Sequence, residues 1–126
     1  MNAILCTPDP TSEFYTAEQC HILELSNAPH DPSCSIARAR VEPGVTTRLH
    51  RLTTVTERYI ILEGRGLAEI GTLPSKEVAT GDVILIPPTC PQRITNIGTT
   101  DLVFLAICTP RFTPECYEDI DPLPRP

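Results

Sequence analysis

The chain of 126 residues has no run of about eighteen apolar residues, so no membrane-spanning helix and no membrane partner are expected. Its opening, "MNAILCTPDPTSEF", has no basic region and little apolar length, which makes a secretory signal unexpected and the cytoplasm the expected location. No phosphate-cradling loop is present, because Gly64 and Gly66 flank a single arginine and belong to a turn. GxSxG, HExxH and a Cys-His-Asn arrangement are also missing, which leaves nucleophilic catalysis without a group to carry it. Basic residues are the minority, 10 Lys and Arg against 16 Asp and Glu, for a net charge of −6. Arginines scattered singly on an acidic chain hold a phosphate backbone poorly, so nucleic acid is not an expected partner. No CxxC pair occurs among Cys6, Cys20, Cys34, Cys90, Cys108 and Cys116, and the six read as free thiols rather than as a disulfide framework.

Helical periodicity is missing too. Fourteen prolines and six glycines instead punctuate short apolar runs. Strands are expected at 21–26, 35–41, 46–52, 57–64, 66–71, 82–87, 92–97 and 101–108. These runs are rich in Ile, Val, Leu and Thr and are bounded by Pro, Gly, Asn or Asp. "SIARARV" alternates apolar and charged residues, as a strand with one wet face does. About eight short strands at close spacing predict one all-β domain, a sandwich or barrel. Residues 1–20 read as an N-terminal arm, 21–117 as the barrel and 118–126 as a mobile, proline-rich C-terminal tail.

Two segments carry a pattern. Residues 44–64 read Gly44-x5-His50-x-Leu52-x4-Glu57-x6-Gly64, and residues 81–96 read Gly81-x5-Pro87-x-Thr89-x2-Gln92-x3-Asn96. Together they resemble the two sequence motifs of the cupin superfamily. The resemblance extends over roughly residues 35–108 and implies a mostly antiparallel jelly-roll β-barrel with an interior able to hold one small ligand. It departs from the family pattern where the chemistry lies. Metal-binding cupins use His, His, Glu and His at positions held here by His50, Leu52, Glu57 and Gln92, and Thr89 replaces a glycine. The resemblance therefore implies a weak metal site of His50, Glu57 and Gln92. One nitrogen and two oxygens would suit Fe(II), Mn(II), Ni(II) or Zn(II), with water completing the shell.

An inward carboxylate at Glu57 needs a partner, whether a metal, His50 or an arginine. Arg48 lies two residues before His50 and is expected on the same strand face, where it could meet Glu57, Gln92 and Tyr59 or hold an acidic ligand. Its plain alternative is a solvated place at the barrel mouth. Arg48, Leu52, Tyr59 and Cys90 are the expected pocket residues, and Arg48 and Tyr59 the candidate catalytic donors. Two functions follow as expectations. One is a metal-dependent isomerase, lyase or oxygenase acting on a small polar metabolite. The other is a metal-free small-molecule-binding or regulatory module. A homodimer is expected, paired through the edge of "HILELS" or "SIARARV".

Overall fold

The computed structural model describes all 126 residues. Eleven strands run in chain order: β1 (Phe14–Tyr15), β2 (His21–Ser26), β3 (Ser35–Val41), β4 (His50–Leu52), β5 (Thr56–Glu63), β6 (Arg65–Ile70), β7 (Lys76–Ala79), β8 (Val83–Ile86), β9 (Gln92–Asn96), β10 (Leu102–Thr109) and β11 (Tyr117–Asp119). They form two antiparallel sheets ordered β1-β2-β3-β10-β5-β8 and β11-β4-β9-β6-β7. This is the jelly roll expected from the sequence, with one correction: the sheets face each other without closing into a barrel. No helix is long and apolar enough to cross a membrane.

The expected strands recur with small shifts, except that 46–52 shortens to His50–Leu52 plus a bridge from Thr46 to Thr95. β1, β7 and β11 were not expected. They are short, and two of them lie in the polar ends of the chain. The edges expected to pair two copies are not edges. β2 lies between β1 and β3, and β3 lies between β2 and β10. The open edge of the larger sheet beyond β5 is β8, where Val83 and Leu85 face outward and are exposed.

Between the sheets sit Val41, Ile61, Ile86, Ile94 and Leu102, all essentially buried. Fully burying such a side chain contributes about 1.5–3 kcal/mol, so this layer holds the sheets together. β5 shows how the pleat sorts residues. Glu57, Tyr59 and Ile61 point inward, while Arg58, Ile60 and Leu62 take the other face. Gly64 is required at the β5–β6 corner. Its φ is +84°, and a Cβ there would stand 2.6 Å from the Asp101 carbonyl oxygen.

The C-terminal segment is bound to the fold rather than loose. β11 pairs with β4, the Leu49 N–H donates to the Asp121 carboxylate at 2.9 Å, and the Arg48 guanidinium donates to the Leu123 and Pro124 carbonyls. At the other end, β1 pairs with β2, and Glu13 accepts from Arg40 at 2.6 Å on β3.

Candidate functional site

A cavity of about 280 Å³ opens between the sheets, walled by the N-terminal hairpin, by β3, β5 and β10, and by residues 112–117. The two patterned segments meet at its inner end. His50 on β4 is the direct cross-strand neighbour of Gln92 on β9, and Glu57 and Tyr59 project inward from β5 in the opposite sheet. The turn at 53–55 carries the chain from one sheet to the other, which is why residues seven apart can approach across the interior.

These side chains form one continuous network. The Tyr59 hydroxyl donates to Gln92 Oε1 at 2.6 Å, and Gln92 Nε2 donates to Glu57 Oε1 at 2.9 Å. The Cys108 thiol points at Glu57 Oε2 from 3.6 Å, a weak contact. Glu57 is 8% exposed and has no Lys or Arg partner. Burial pushes its carboxyl above the ordinary carboxylate range, and the Gln92 hydrogen bond only partly offsets this. Burial likewise raises the Tyr59 phenol well above its usual value, so it stays a neutral donor.

His50 is 3% exposed and is held through Nδ1. Its Nδ1 lies 2.7 Å from the Arg48 carbonyl, which can only accept, so Nδ1 carries a proton. Its Nε2 lies 3.0 Å from Glu18 Oε1 across the same cavity. Tyr117 stacks on the imidazole with ring centroids 5.1 Å apart.

Side by side, the sequence expectations and the geometry agree in part. His50, Glu57 and Gln92 do converge, Tyr59 joins them, and Leu52 lines the cavity while packing on Val55, Cys108 and Cys116. Arg48 does not join them. The chain becomes a regular strand only at His50, so the two-residue alternation that placed Arg48 beside His50 does not reach back to it. Its guanidinium instead pairs with Asp119 at 3.1 Å, beneath the C-terminal segment. Cys90 is also outside the cavity. It packs against the turn at Gly71, where a Cβ would meet its sulfur at 3.0 Å. Glu18, Phe104, Phe112 and Tyr117 also line the cavity, although they lie outside both motifs. All six cysteines are free.

A resident metal would need open lone pairs on these donors. His50 Nε2 faces Glu18, the Gln92 carbonyl oxygen receives the Tyr59 proton, and Leu52 offers no lone pair. No three His, Cys, Asp or Glu side chains gather as a cation-holding group. As arranged, the set does not fit a divalent ion.

Thr89 explains part of the motif. It has φ of +67°, the left-handed region in which a β-branched residue is strained and glycine is at ease, so the glycine of the family pattern has a backbone reason. The sequence profile of the cupin domain matches residues 37–108, more than half of the chain.

The chain belongs to the cupin family.

An uncharacterised protein of Methanocaldococcus jannaschii is 41% identical to this cupin over 87 residues, 69% of each chain. An oxalate-binding protein of Thermotoga maritima is 32% identical over 90 residues, 71% of this cupin and 73% of the relative. Among solved structures, the nucleoside dehydratase Pac13, studied in its Streptomyces form with uridine, superposes with a TM-score of 0.76 at 15% identity, over 95% of this chain and 92% of that one. Bacillus subtilis oxalate decarboxylase superposes with a TM-score of 0.74 at 19% identity, over 86% of this cupin and 30% of the larger enzyme. At such identities the structural likenesses speak for the fold alone.

Proposed function

We propose that this cupin binds one small organic molecule between its sheets and transfers protons on it, as an isomerase or a lyase does, with Glu57 as the acid–base group. The observation that carries the reading is a buried carboxyl at the cavity wall with no Lys or Arg to neutralise it. Such a group holds its proton to higher pH than an ordinary glutamate and can both donate and recover it. Gln92 fixes its orientation, because its amide must accept from Tyr59 and donate to Glu57. His50, whose Nε2 lies 3.0 Å from Glu18, stands in the same cavity as a second group able to move a proton. The volume, equal to roughly nine waters, suits a compact substrate.

The relative named for oxalate suggests a dicarboxylate ligand. The lining argues against carrying that over, since it contains Glu18, Glu24 and Glu57 and neither Lys nor Arg. A dianion would enter a cavity of its own sign.

The test is hydrogen exchange. Small hydroxy- and amino-carbonyl compounds are incubated with the protein in D2O and followed by proton NMR. Uptake of deuterium beside the carbonyl, or loss of water, is expected for at least one compound, and it should vanish in Glu57→Gln. Exchange that proceeds unchanged in that variant would remove Glu57 from the chemistry.

A further inference from the structure

The chain has only six aromatic side chains, three Phe and three Tyr, and five of them line this one cavity. They come from separate places along the chain: Phe14 on β1, Tyr59 on β5, Phe104 on β10, and Phe112 and Tyr117 in the C-terminal segment. Tyr59 and Phe104 meet at the floor with centroids 4.4 Å apart, while Phe14 stands half-exposed. Of ten basic side chains, none lines the cavity. Most are engaged elsewhere: Arg40 with Glu13 and Asp101, Arg48 with Asp119, Arg51 with Glu118, Arg65 with Glu77 and Arg93 with Glu69. Arg111, whose charge reaches the lining residue Glu24, is itself hydrogen-bonded to Asn27.

From this distribution we infer that the molecule bound in the cavity is a small organic cation, an amine on a compact apolar body. The inference rests on the proposed use of the cavity as the substrate site and adds the substrate's charge. Aromatic faces carry negative potential and attract a desolvated ammonium, and a carboxylate beside them supplies the counter-charge. Glu57 has no Lys or Arg partner and meets only the neutral Gln92 amide and Cys108 thiol, whereas Glu18 Oε1 lies 3.0 Å from His50 Nε2. An anion finds neither a guanidinium nor an ammonium in the lining. A neutral ring could stack on the same walls but would leave Glu57 without a partner.

The experiment uses three probes of one shape: benzylammonium, benzyl alcohol and benzoate. Each is titrated into the full-length protein at pH 7.5 by calorimetry, with thermal melts in parallel. Benzylammonium is expected to bind about tenfold more tightly than benzyl alcohol, and benzoate more weakly than either. Glu57→Gln should erase most of the preference for the ammonium while leaving the alcohol within about twofold. Phe104→Leu should weaken the ammonium more than the alcohol, an arm that does not depend on Glu57. Benzoate binding as tightly as benzylammonium, or a preference unchanged in Glu57→Gln, overturns the charge assignment while the hydrogen-exchange test of proton transfer stands apart. Failure of all three probes to bind or stabilise at millimolar concentration overturns the inference together with the cavity as a binding site.

Discussion

Replacing Glu57 by Gln should make the protein more stable at neutral pH, which is unusual for removing a charged residue that holds two hydrogen-bond contacts. Glu57 is 8% exposed, and its two contacts come from neutral donors, the Gln92 amide and the Cys108 thiol. A glutamine keeps an acceptor for the amide and carries no charge to desolvate. Burial holds the folded carboxyl above its ordinary 4.5, so the folded state binds more protons than the unfolded chain once the pH exceeds that value. Wild-type stability therefore loses ground as pH rises from about 4.5 toward the folded value, and the variant does not share that loss. The other carboxylates, which pull the opposite way, are common to both proteins and cancel in the difference. The gap should be near zero at pH 4 and reach about 1–3 kcal/mol by pH 8, the usual cost of an imperfectly compensated buried polar group. For a chain of this size that is on the order of 3–5 °C in Tm per kcal/mol. Paired thermal and urea melts between pH 4 and 8 measure it. A variant less stable by a pH-independent margin would show that Glu57 is already compensated, and the argument from its isolation would fail.

Tyr59→Phe should cost about 1–2 kcal/mol, because Gln92 loses a buried donor at 2.6 Å, and it should slow any proton transfer without abolishing ligand binding. Thr89→Gly should stabilise by about 1 kcal/mol in urea melts by relieving a left-handed backbone at a β-branched residue, less the entropy glycine costs. Arg48→Ala frees Asp119 and the last carbonyls, so limited proteolysis should clip the C-terminal segment sooner than in wild type. Asp119 lies below its ordinary 3.8 chiefly through Arg48, so this clamp is present above that pH and is lost as pH falls through the folded value. The double variant Leu52→His, Gln92→His should gain up to one equivalent of nickel or zinc by metal analysis, while wild type takes up much less.

The fold was legible because its evidence is periodic and local. Alternating runs such as "SIARARV" name a strand face, and Gly64 and Gly81 mark corners whose positive φ values only glycine takes easily. His50, Glu57 and Gln92 were legible as a converging set through the resemblance of their segments to the cupin motifs. What their atoms face was not. Glu18 comes from an arm outside both motifs, and nothing in its neighbours announces that it reaches the His50 imidazole. Arg48 misled because alternation holds only along a regular strand, and the strand starts after it. The aromatic lining was hidden for a related reason: apart from Tyr59 its side chains lie outside both motifs, and the five are gathered only by tertiary folding.

The central claim is that Glu57 is a protonated or readily protonated acid rather than a metal ligand or half of an ion pair. A carbon-detected NMR titration of its side-chain carboxyl tests this most directly, with Glu57→Gln assigning the resonance. The account predicts a midpoint clearly above the ordinary 4.5, moving downward when benzylammonium is bound. A midpoint at or below 4.5 in the free protein would contradict it.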